Sequence, residues 1–315
     1  MSSPEMDNPL IVIVGPTCVG KTEVSIYLAE KLNGEIISAD SRTFYRGMDI
    51  GTAKPTQEEQ MRVPHHLVDV TNPDQTWNLA VFQQNTQAII REIHLRKHIP
   101  FLVGGTGQYI RAVTNNWSPP TIIPNLKLRG QLEILANERS KEYLHQALFL
   151  LDPEAAKMID PRNVRRTIRA LEVIFSSGIL FSSQRKKGLS PFRLITIGLT
   201  RPRIELYDRI DQRIYGMFAN GLVNEVKELL NSGFSPYLQS MSAIGYRECA
   251  NVVSGYITEE QAIEEIKRKT RIFVRRQFNW FKSTDPEIRW FNISEQPISD
   301  IENYLHLYLK RPLNT

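Results

Sequence analysis

Cysteine is scarce in this sequence: among its 315 residues there are two, Cys18 and Cys249. Two cysteines so far apart provide neither a disulfide framework nor the paired ligands of a structural zinc site. This pattern excludes the small disulfide-rich secreted proteins and the zinc fingers. We therefore expect a protein of a reducing compartment, the cytoplasm.

Long apolar runs are missing as well. None approaches the roughly 18 residues that a membrane-spanning helix needs, and the first eight residues are polar, so we expect neither secretion nor membrane insertion. Neither charge sign dominates, because 39 Lys and Arg against 34 Asp and Glu give a net charge of +5. The length and the 41% of hydrophobic residues predict one large or two small domains with a sizeable core.

A glycine-rich turn after a short apolar run is the most informative segment. The run Leu10–Val14 is typical of a buried parallel strand, and the next eight residues match the phosphate-binding pattern G-x-x-x-x-G-K-[ST]. Apolar residues then recur at helical spacing as far as Asn33. In this order, loop N–H groups and the positive helix end converge on one point. The predicted phosphate site comprises Gly15, Pro16, Thr17, Cys18, Val19, Gly20, Lys21 and Thr22.

Within this site, Lys21 supplies positive charge and the Thr22 hydroxyl is placed to ligate Mg²⁺. The pattern does not say which phosphate compound binds. A glycine-rich strand-to-helix turn that binds nothing is the alternative.

The second predicted strand, Gly34–Ser41, brings an acid to the same place. Ligands of open α/β sheets bind at the carboxyl ends of the strands, so we expect Asp40 to face the phosphate loop. A carboxylate there can accept a proton or hold a metal-bound water, or it can simply cap the following turn. In the polar loop that follows, Lys54 either assists at the phosphates or is a solvated surface residue.

The third predicted strand, Ile99–Val103, ends in glycine rather than in an acid. The turn Gly104–Gly107 is either a tight connection or a second site loop that brings Thr106 to the crevice. P-loop ATPases carry a Mg²⁺-binding acid at such a strand end, and the GTPase signatures Asn-Lys-x-Asp and Asp-x-x-Gly are missing. Asp40 is then the available acid, which favours a transferase over a motor or switch. The adjacent His65 and His66 point to opposite faces, which disfavours a metal site.

A proline-rich stretch, Asn115–Asn125, interrupts the alternation of strands and helices, and an apolar strand returns at Phe192–Leu199. The predicted fold class is therefore α/β: a P-loop parallel sheet flanked by helices, with a mainly helical insertion. We assign residues 9–115 and 192–315 to the core and residues 116–191 to the insertion.

Three predicted helices carry arginine-rich faces. Asp160-Pro161 should begin one in the insertion, on which Arg162, Arg165, Arg166 and Arg169 share a face. A helix from about Pro202 to Asn220 places Arg209 and Arg213 one turn apart, to reach a diphosphate or to pair with nearby acids. The third predicted helix begins with a capping box at Thr258. Between Ile266 and Thr284 the sequence contains seven cations and no acid, and aromatic residues are interleaved with the cations. The faces of the first and third helices are either solvated surfaces or contacts for an RNA backbone and unpaired bases. Two separate basic helices in one chain favour RNA.

Eight motifs in order, spanning nearly the whole chain, resemble the bacterial tRNA dimethylallyltransferases, also called tRNA isopentenyltransferases. The motifs are GPTCVGKT, EIISADSR, YRGMDIGTAKP, PHHLVD, VGGTGQYI, RRTIRALEV, AIGYRE and RRQFNWF. The resemblance implies transfer of a dimethylallyl group from dimethylallyl diphosphate to N6 of the adenosine 3′-adjacent to the anticodon, position 37. It also implies Mg²⁺, the anticodon stem-loop of tRNA as partner, and a P-loop that binds a diphosphate or nucleotide such as ATP. We expect a monomer.

The resemblance also implies roles for individual residues. Asp40 is the catalytic base, Arg209 or Arg213 stabilises the departing diphosphate, and Thr17 and Thr106 lie where the family places further substrate contacts. The residues expected at the tRNA are Asp40, Ser41, Arg42, Thr43, Arg165, Arg166, Thr167, Ile168, Arg169, Arg247, Arg275 and Arg276. A small-molecule kinase, a free-adenylate prenyltransferase and a non-catalytic RNA-binding protein remain alternatives.

Overall fold

The computed structural model describes residues 8–118, 122, 125–184 and 188–310. The polar N-terminal segment and part of the proline-rich stretch at 115–125 thus lie outside the described residues. The chain forms two compact units, one of Met1–Thr114 with Ser190–Thr315 and one of Asn115–Leu189. No helix within the described ranges is long and apolar enough to cross a membrane.

The first unit is built on a parallel sheet of six strands, in the order β3-β2-β4-β1-β5-β6. The strands are β1 (Pro9–Val14), β2 (Gly34–Ser38), β3 (His65–His66), β4 (Ile99–Gly104), β5 (Arg193–Thr200) and β6 (Ile288–Asn292). Strand β1 lies between β4 and β5, at the centre of the sheet. The predicted α/β fold class with a parallel sheet is confirmed.

Helices cover this sheet and form the second unit. In chain order they are α1 (Lys21–Lys31), α2 (Gln57–Arg62), α3 (Leu79–Leu95), α4 (Gly107–Thr114), α5 (Leu126–Glu138), α6 (Lys141–Leu151), α7 (Pro153–Met158), α8 (Val164–Ser177), α9 (Arg203–Ala219), α10 (Leu222–Asn231), α11 (Tyr246–Val253), α12 (Glu259–Trp280) and α13 (Ile298–Leu309). Helices α5 to α8 belong to the second unit and pack around an apolar core of their own.

Strand β1 explains why its sequence is apolar without alternation. Its residues are buried, and alternate side chains enter two different cores: Ile11 and Ile13 one, Leu10 and Val12 the other. A strand with both faces covered by helices has no solvated side, so every position is apolar.

One predicted helix start is wrong. Helix α8 begins three residues later than expected, because Asn163 is its cap and accepts the Arg166 N–H at 3.2 Å. The Asp160 carboxylate instead accepts the Arg162 N–H at 2.9 Å in the preceding turn. An Asp-Pro start does occur at α7, where Asp152 caps the helix and Pro153 is its first residue.

A buried carboxylate ties three segments of the first unit together. Glu35, 3% exposed, accepts hydrogen bonds from Arg96 at 2.8 and 2.9 Å and contacts His66 and His98 at 2.6 and 2.7 Å. Burial raises the pKa of the Glu35 carboxyl, but the bonds from Arg96, His66 and His98 outweigh this and lower that pKa to about 2. His66 therefore has a structural partner.

Replacing Glu35 by glutamine should destabilise the protein by ~1–3 kcal/mol at pH 7, because an amide cannot accept all of these donors. A carboxyl whose pKa is lowered on folding stabilises the protein above its unfolded pKa, and this contribution is lost as the pH falls toward 2. The difference between wild type and Glu35→Gln in urea unfolding should therefore shrink between pH 5 and pH 3. Glu30→Gln, which breaks a surface pair with Arg62, is the control and should change stability by ~1 kcal/mol or less. Equal effects of the two variants would contradict the role given to Glu35.

Candidate active site

A cavity of about 550 Å³ lies at the carboxyl ends of the central strands. Three parts of the chain supply most of its polar lining: the phosphate loop, the ends of β2 and β4, and helix α9. The lining includes Thr17, Cys18, Gly20, Lys21, Thr22, Ser38, Asp40, Thr43, Thr52, His65, Gly104, Arg209 and Arg213. Residues predicted separately from the phosphate loop, from β2 and from α9 thus share one cavity.

The phosphate loop is packed against the end of β5. A Cβ at position 15 would lie 2.7 Å from the Leu199 carbonyl oxygen, and Gly15 has a φ of +154°, so glycine is required there. The Lys21 ammonium donates hydrogen bonds to the carbonyls of Gly15 and Pro16 at 3.0 and 2.7 Å. Desolvation lowers the pKa of Lys21 to about 8, although Asp40 and Cys18 act in the opposite direction.

Three arginines that follow β5 contact the same loop. Arg209 Nε donates to the Cys18 carbonyl at 2.9 Å, and Arg213 Nη1 donates to Thr17 Oγ1 at 3.3 Å. Sequence reasoning left open which of these two reaches the phosphate site, and the structure brings both to it. Sequence reasoning missed Arg201, whose Nε donates to the Val19 carbonyl at 2.8 Å. The available signal was its position directly after β5, beside the carboxyl end of β1.

Asp40 caps a turn and also lines the cavity. Its Oδ1 accepts the Arg42 N–H at 3.0 Å and so caps the turn after β2. The same carboxylate lines the cavity, and its negative charge partly offsets the lowering of the Lys21 pKa by desolvation. Thr43, also in the lining, shares a 2.9 Å hydrogen bond with Ser38. An acid and a cationic phosphate loop thus line the same cavity.

The second glycine-rich turn reaches the cavity through Gly104, and the rest of it forms a tight connection to α4. Thr106 does not line the cavity; its carbonyl accepts the N–H groups of Tyr109 and Ile110 and begins α4. A Cβ at Gly105 would lie 2.1 Å from Gln277 Nε2, and one at Gly107 would lie 2.2 Å from Trp280. These glycines allow α12 to approach the turn.

Lys54 has neither of the roles proposed for it. Its side chain is 4% exposed, and its ammonium donates to the Tyr45 carbonyl and to the carboxylates of Asp49 and Asp69. It holds the polar loop together instead of facing phosphate or bulk water. Within the described part of the chain, no group of three or more His, Cys, Asp and Glu residues is arranged to hold a metal ion.

The basic stretch of α12 divides into paired and unpaired cations. Lys267 and Arg271 pair with Asp211 on α9, and Lys269 pairs with the buried Glu248 on α11. Glu264 and Glu265, in the preceding turn of α12, also pair with Lys267, Arg268 and Lys269. Acids from the same helix and from other helices thus both neutralise this part of the stretch. The exposed residues near the end of α12 are Arg275, Arg276, Phe278, Asn279 and Trp280, with Lys282 just beyond it.

Helix α8 of the second unit shows a similar division. Arg165 is exposed and Arg166 half-buried, but the side chains of Thr167 and Ile168 are buried, so they do not belong to an exposed face. Arg169 pairs with the buried Glu172. Elsewhere, Arg42 donates to the Gln239 and Ser240 carbonyls and to Ser242, Ser41 is half-buried, and Arg247 is exposed.

Comparison with known proteins decides the family. A family model described as IPP transferase matches residues 43–284, and one described as isopentenyl transferase matches residues 8–69. This chain belongs to the IPP transferase family. A tRNA dimethylallyltransferase of Roseiflexus sp. is 50% identical over 274 residues, 87% of this chain and 90% of the relative.

Solved structures of similar proteins share the fold. The tRNA isopentenylpyrophosphate transferase of Bacillus halodurans has a TM-score of 0.72 and 42% identity, covering 96% of this chain and 97% of that one. A eukaryotic dimethylallyltransferase, described as acting on tRNA, has a TM-score of 0.82 and 26% identity, covering 98% and 81%.

Gln277 is a residue of this family member that sequence reasoning missed, because neither charge nor exposure marks it. It is buried on α12 between exposed neighbours. Its Oε1 accepts the Thr17 N–H at 2.9 Å, and its Nε2 donates to the Gly105 carbonyl at 3.1 Å. One amide thus connects the phosphate loop to the second glycine turn.

Gln277→Leu should weaken binding of inorganic diphosphate by about tenfold, because its bonds to the phosphate loop at Thr17 and to the adjacent turn at Gly105 are both lost, at ~0.5–1.5 kcal/mol each. Isothermal titration calorimetry measures this change. Asn279→Ala, an exposed neighbour on the same helix, should leave the dissociation constant unchanged. An unchanged or lower constant in Gln277→Leu would show that Gln277 does not order the loop for diphosphate.

Proposed function

We propose that this chain is a tRNA dimethylallyltransferase. It transfers a dimethylallyl group from dimethylallyl diphosphate to N6 of adenosine 37, next to the anticodon, and releases diphosphate. One observation carries the proposal: a single cavity holds a cationic phosphate loop and the Asp40 carboxylate. Membership of the IPP transferase family and the names of the relatives support it.

Asp40 is the proposed base. The exocyclic amine of adenine is a poor nucleophile because its lone pair is delocalised into the ring. Attack on the allylic carbon therefore needs an acceptor for the proton that the amine loses. Among the described residues, the cavity lining contains three carboxylates: Glu23, Asp40 and Glu59. Of these three, Asp40 lies just after β2 and interacts electrostatically with the Lys21 ammonium.

The phosphate loop and α9 are proposed to stabilise the leaving group. Negative charge grows on the diphosphate as the carbon–oxygen bond breaks, and cations fixed in advance stabilise that charge most effectively. Lys21, Arg209 and Arg213 all line the cavity, and both arginines are already bonded to the loop. The diphosphate would take up the Lys21 bonds that the loop carbonyls now accept.

A magnesium ion fits this donor set. Mg²⁺ commonly binds to one or two protein oxygens together with substrate phosphates and waters, and the Thr22 hydroxyl lies in the cavity lining at the start of α1. When bound, it would supply further neutralisation of the diphosphate charge. Thr22 would hold it, with Asp40 available to a bound water.

The proposed RNA surface combines cations with exposed aromatic rings. Arg275 and Arg276 match the charge of the RNA backbone, and Phe278 and Trp280 offer ring faces for unpaired bases. On the second unit, Arg165 and Arg166 remain available for the same purpose. The adenosine must leave its stack to reach the base, at a cost of a few kcal/mol that contacts with the anticodon stem-loop offset. A small-molecule kinase or a free-adenylate prenyltransferase needs no such surface.

Mass spectrometry of nucleosides tests the function. Unmodified tRNA incubated with the protein, Mg²⁺ and dimethylallyl diphosphate should yield N6-dimethylallyladenosine at position 37. Parallel incubations with AMP, and with ATP and nucleosides, test the two small-molecule alternatives. Prenylated AMP with unmodified tRNA, or phosphate transfer from ATP, would contradict the proposal.

Asp40→Asn should lower the single-turnover rate by about 10² or more, because an amide cannot accept the proton. Its affinity for tRNA, measured by filter binding, should remain close to that of the wild type. Asp208→Asn, an exposed acid next to Arg209 on α9, is the matched control and should keep the wild-type rate. A near-normal rate in Asp40→Asn would remove Asp40 from the role of base.

A further inference from the structure

A second recess, of about 230 Å³, lies between α9 and α12 and shares no residue with the lining of the active-site cavity. Five of its seven lining residues are cations, and the lining contains one carboxylate, Glu264. The lining consists of Arg203, Tyr207, Glu264, Lys267, Arg268, Arg271 and Arg275. Helix α9 thus presents Arg209 and Arg213 to one site and other residues to this recess.

The guanidinium groups in the recess are held in position by an aromatic ring. The Arg203 and Arg271 guanidinium carbons lie 5.1 and 5.2 Å from the centre of the Tyr207 ring. Arg203 Nε also donates to the Tyr207 hydroxyl at 3.1 Å. Two positive groups are therefore fixed close together despite their mutual repulsion.

Only part of the positive charge in the recess is neutralised by carboxylates. Lys267 pairs with Glu264 and Arg268 with Glu265, whereas Arg203 and Arg275 form no ion pair with a carboxylate among the described residues. Arg271 pairs with Asp211 through Nη2, while its Nε is buried and has no hydrogen-bond partner within the described part of the chain. The exposed guanidinium groups of Arg203, Arg268 and Arg275 line the recess and suit an anionic occupant with several oxygens.

We propose that this recess binds a backbone phosphate of the tRNA, away from the reacting adenosine. The inference rests on the proposed function, which makes tRNA the substrate. Planar guanidinium groups match the geometry of phosphate oxygens, and Arg275 connects the recess along α12 to Arg276, Phe278 and Trp280. The recess extends the RNA surface to α9, where neither Arg203 nor Tyr207 was expected to contact RNA.

Two sets of variants with opposite expected effects test the site. Arg203→Ala and Arg268→Ala should each weaken tRNA binding by roughly three- to tenfold at 0.1 M salt and lower the slope of log K against log salt by about 0.7–0.9. Glu264→Gln removes the carboxylate from the recess and should tighten binding by about twofold. All three side chains are exposed, so the variants should fold. The KM for dimethylallyl diphosphate should not change.

Lys31→Ala is the control, because Lys31 is an exposed cation at the end of α1 opposite to the phosphate loop. It should leave affinity and salt slope unchanged. If wild-type protein neither binds nor prenylates tRNA, the proposed function fails. If it does both and the recess variants keep the wild-type slope, the recess is not an RNA phosphate site. A loss of inorganic diphosphate binding in Arg203→Ala without a change in tRNA binding would also overturn the inference and assign the recess to a small anion.

Discussion

The site depends on how closely main chain packs against main chain where the central strands end. A side-chain carbon at Gly15 would approach the Leu199 carbonyl to 2.7 Å, and one at Gly104 would approach the Ala39 carbonyl to 2.6 Å. These contacts bring the ends of β1, β5, β4 and β2 together. Because of this crowding, cations that follow β5 can bond to the phosphate loop, and an acid that follows β2 can line the same cavity.

Two helices hold the loop and also extend toward the proposed RNA surfaces. Helix α9 bonds to the loop carbonyl of Cys18 through Arg209, and α12 bonds to the Thr17 amide through Gln277. Other faces of the two helices carry Arg203, Arg275 and Arg276, for which the described residues provide no carboxylate partner. Residues proposed to act on the diphosphate and residues proposed to act on tRNA thus lie on the same helices, so the helix that carries a residue does not reveal which substrate it contacts.

Local patterns predicted the strand, loop and helix around Lys21, because apolar periodicity and a fixed motif are properties of adjacent residues. Local patterns did not predict the role of a side chain where its partners lie far away in the sequence. Lys54 was ambiguous because only one of its two carboxylate partners, Asp49, is near in sequence, whereas Asp69 follows fifteen residues later. The basic run of α12 suggested a free surface in part because Asp211 lies on another helix. The bonds of Gln277 depend on the packing of two turns against α12, which no periodicity shows. The start of α8 was misplaced because two Asx-type caps compete within four residues.

The contacts of Lys21 have a consequence for the kind of anion that the loop favours. Its ammonium is bonded to the carbonyls of Gly15 and Pro16. An arriving anion must compete with two main-chain oxygens for that ammonium. A monoanion with a single charged oxygen competes poorly, whereas the diphosphate group offers several. On this physical ground, the two carbonyl bonds of Lys21 favour a polyanion over a monoanion as its partner.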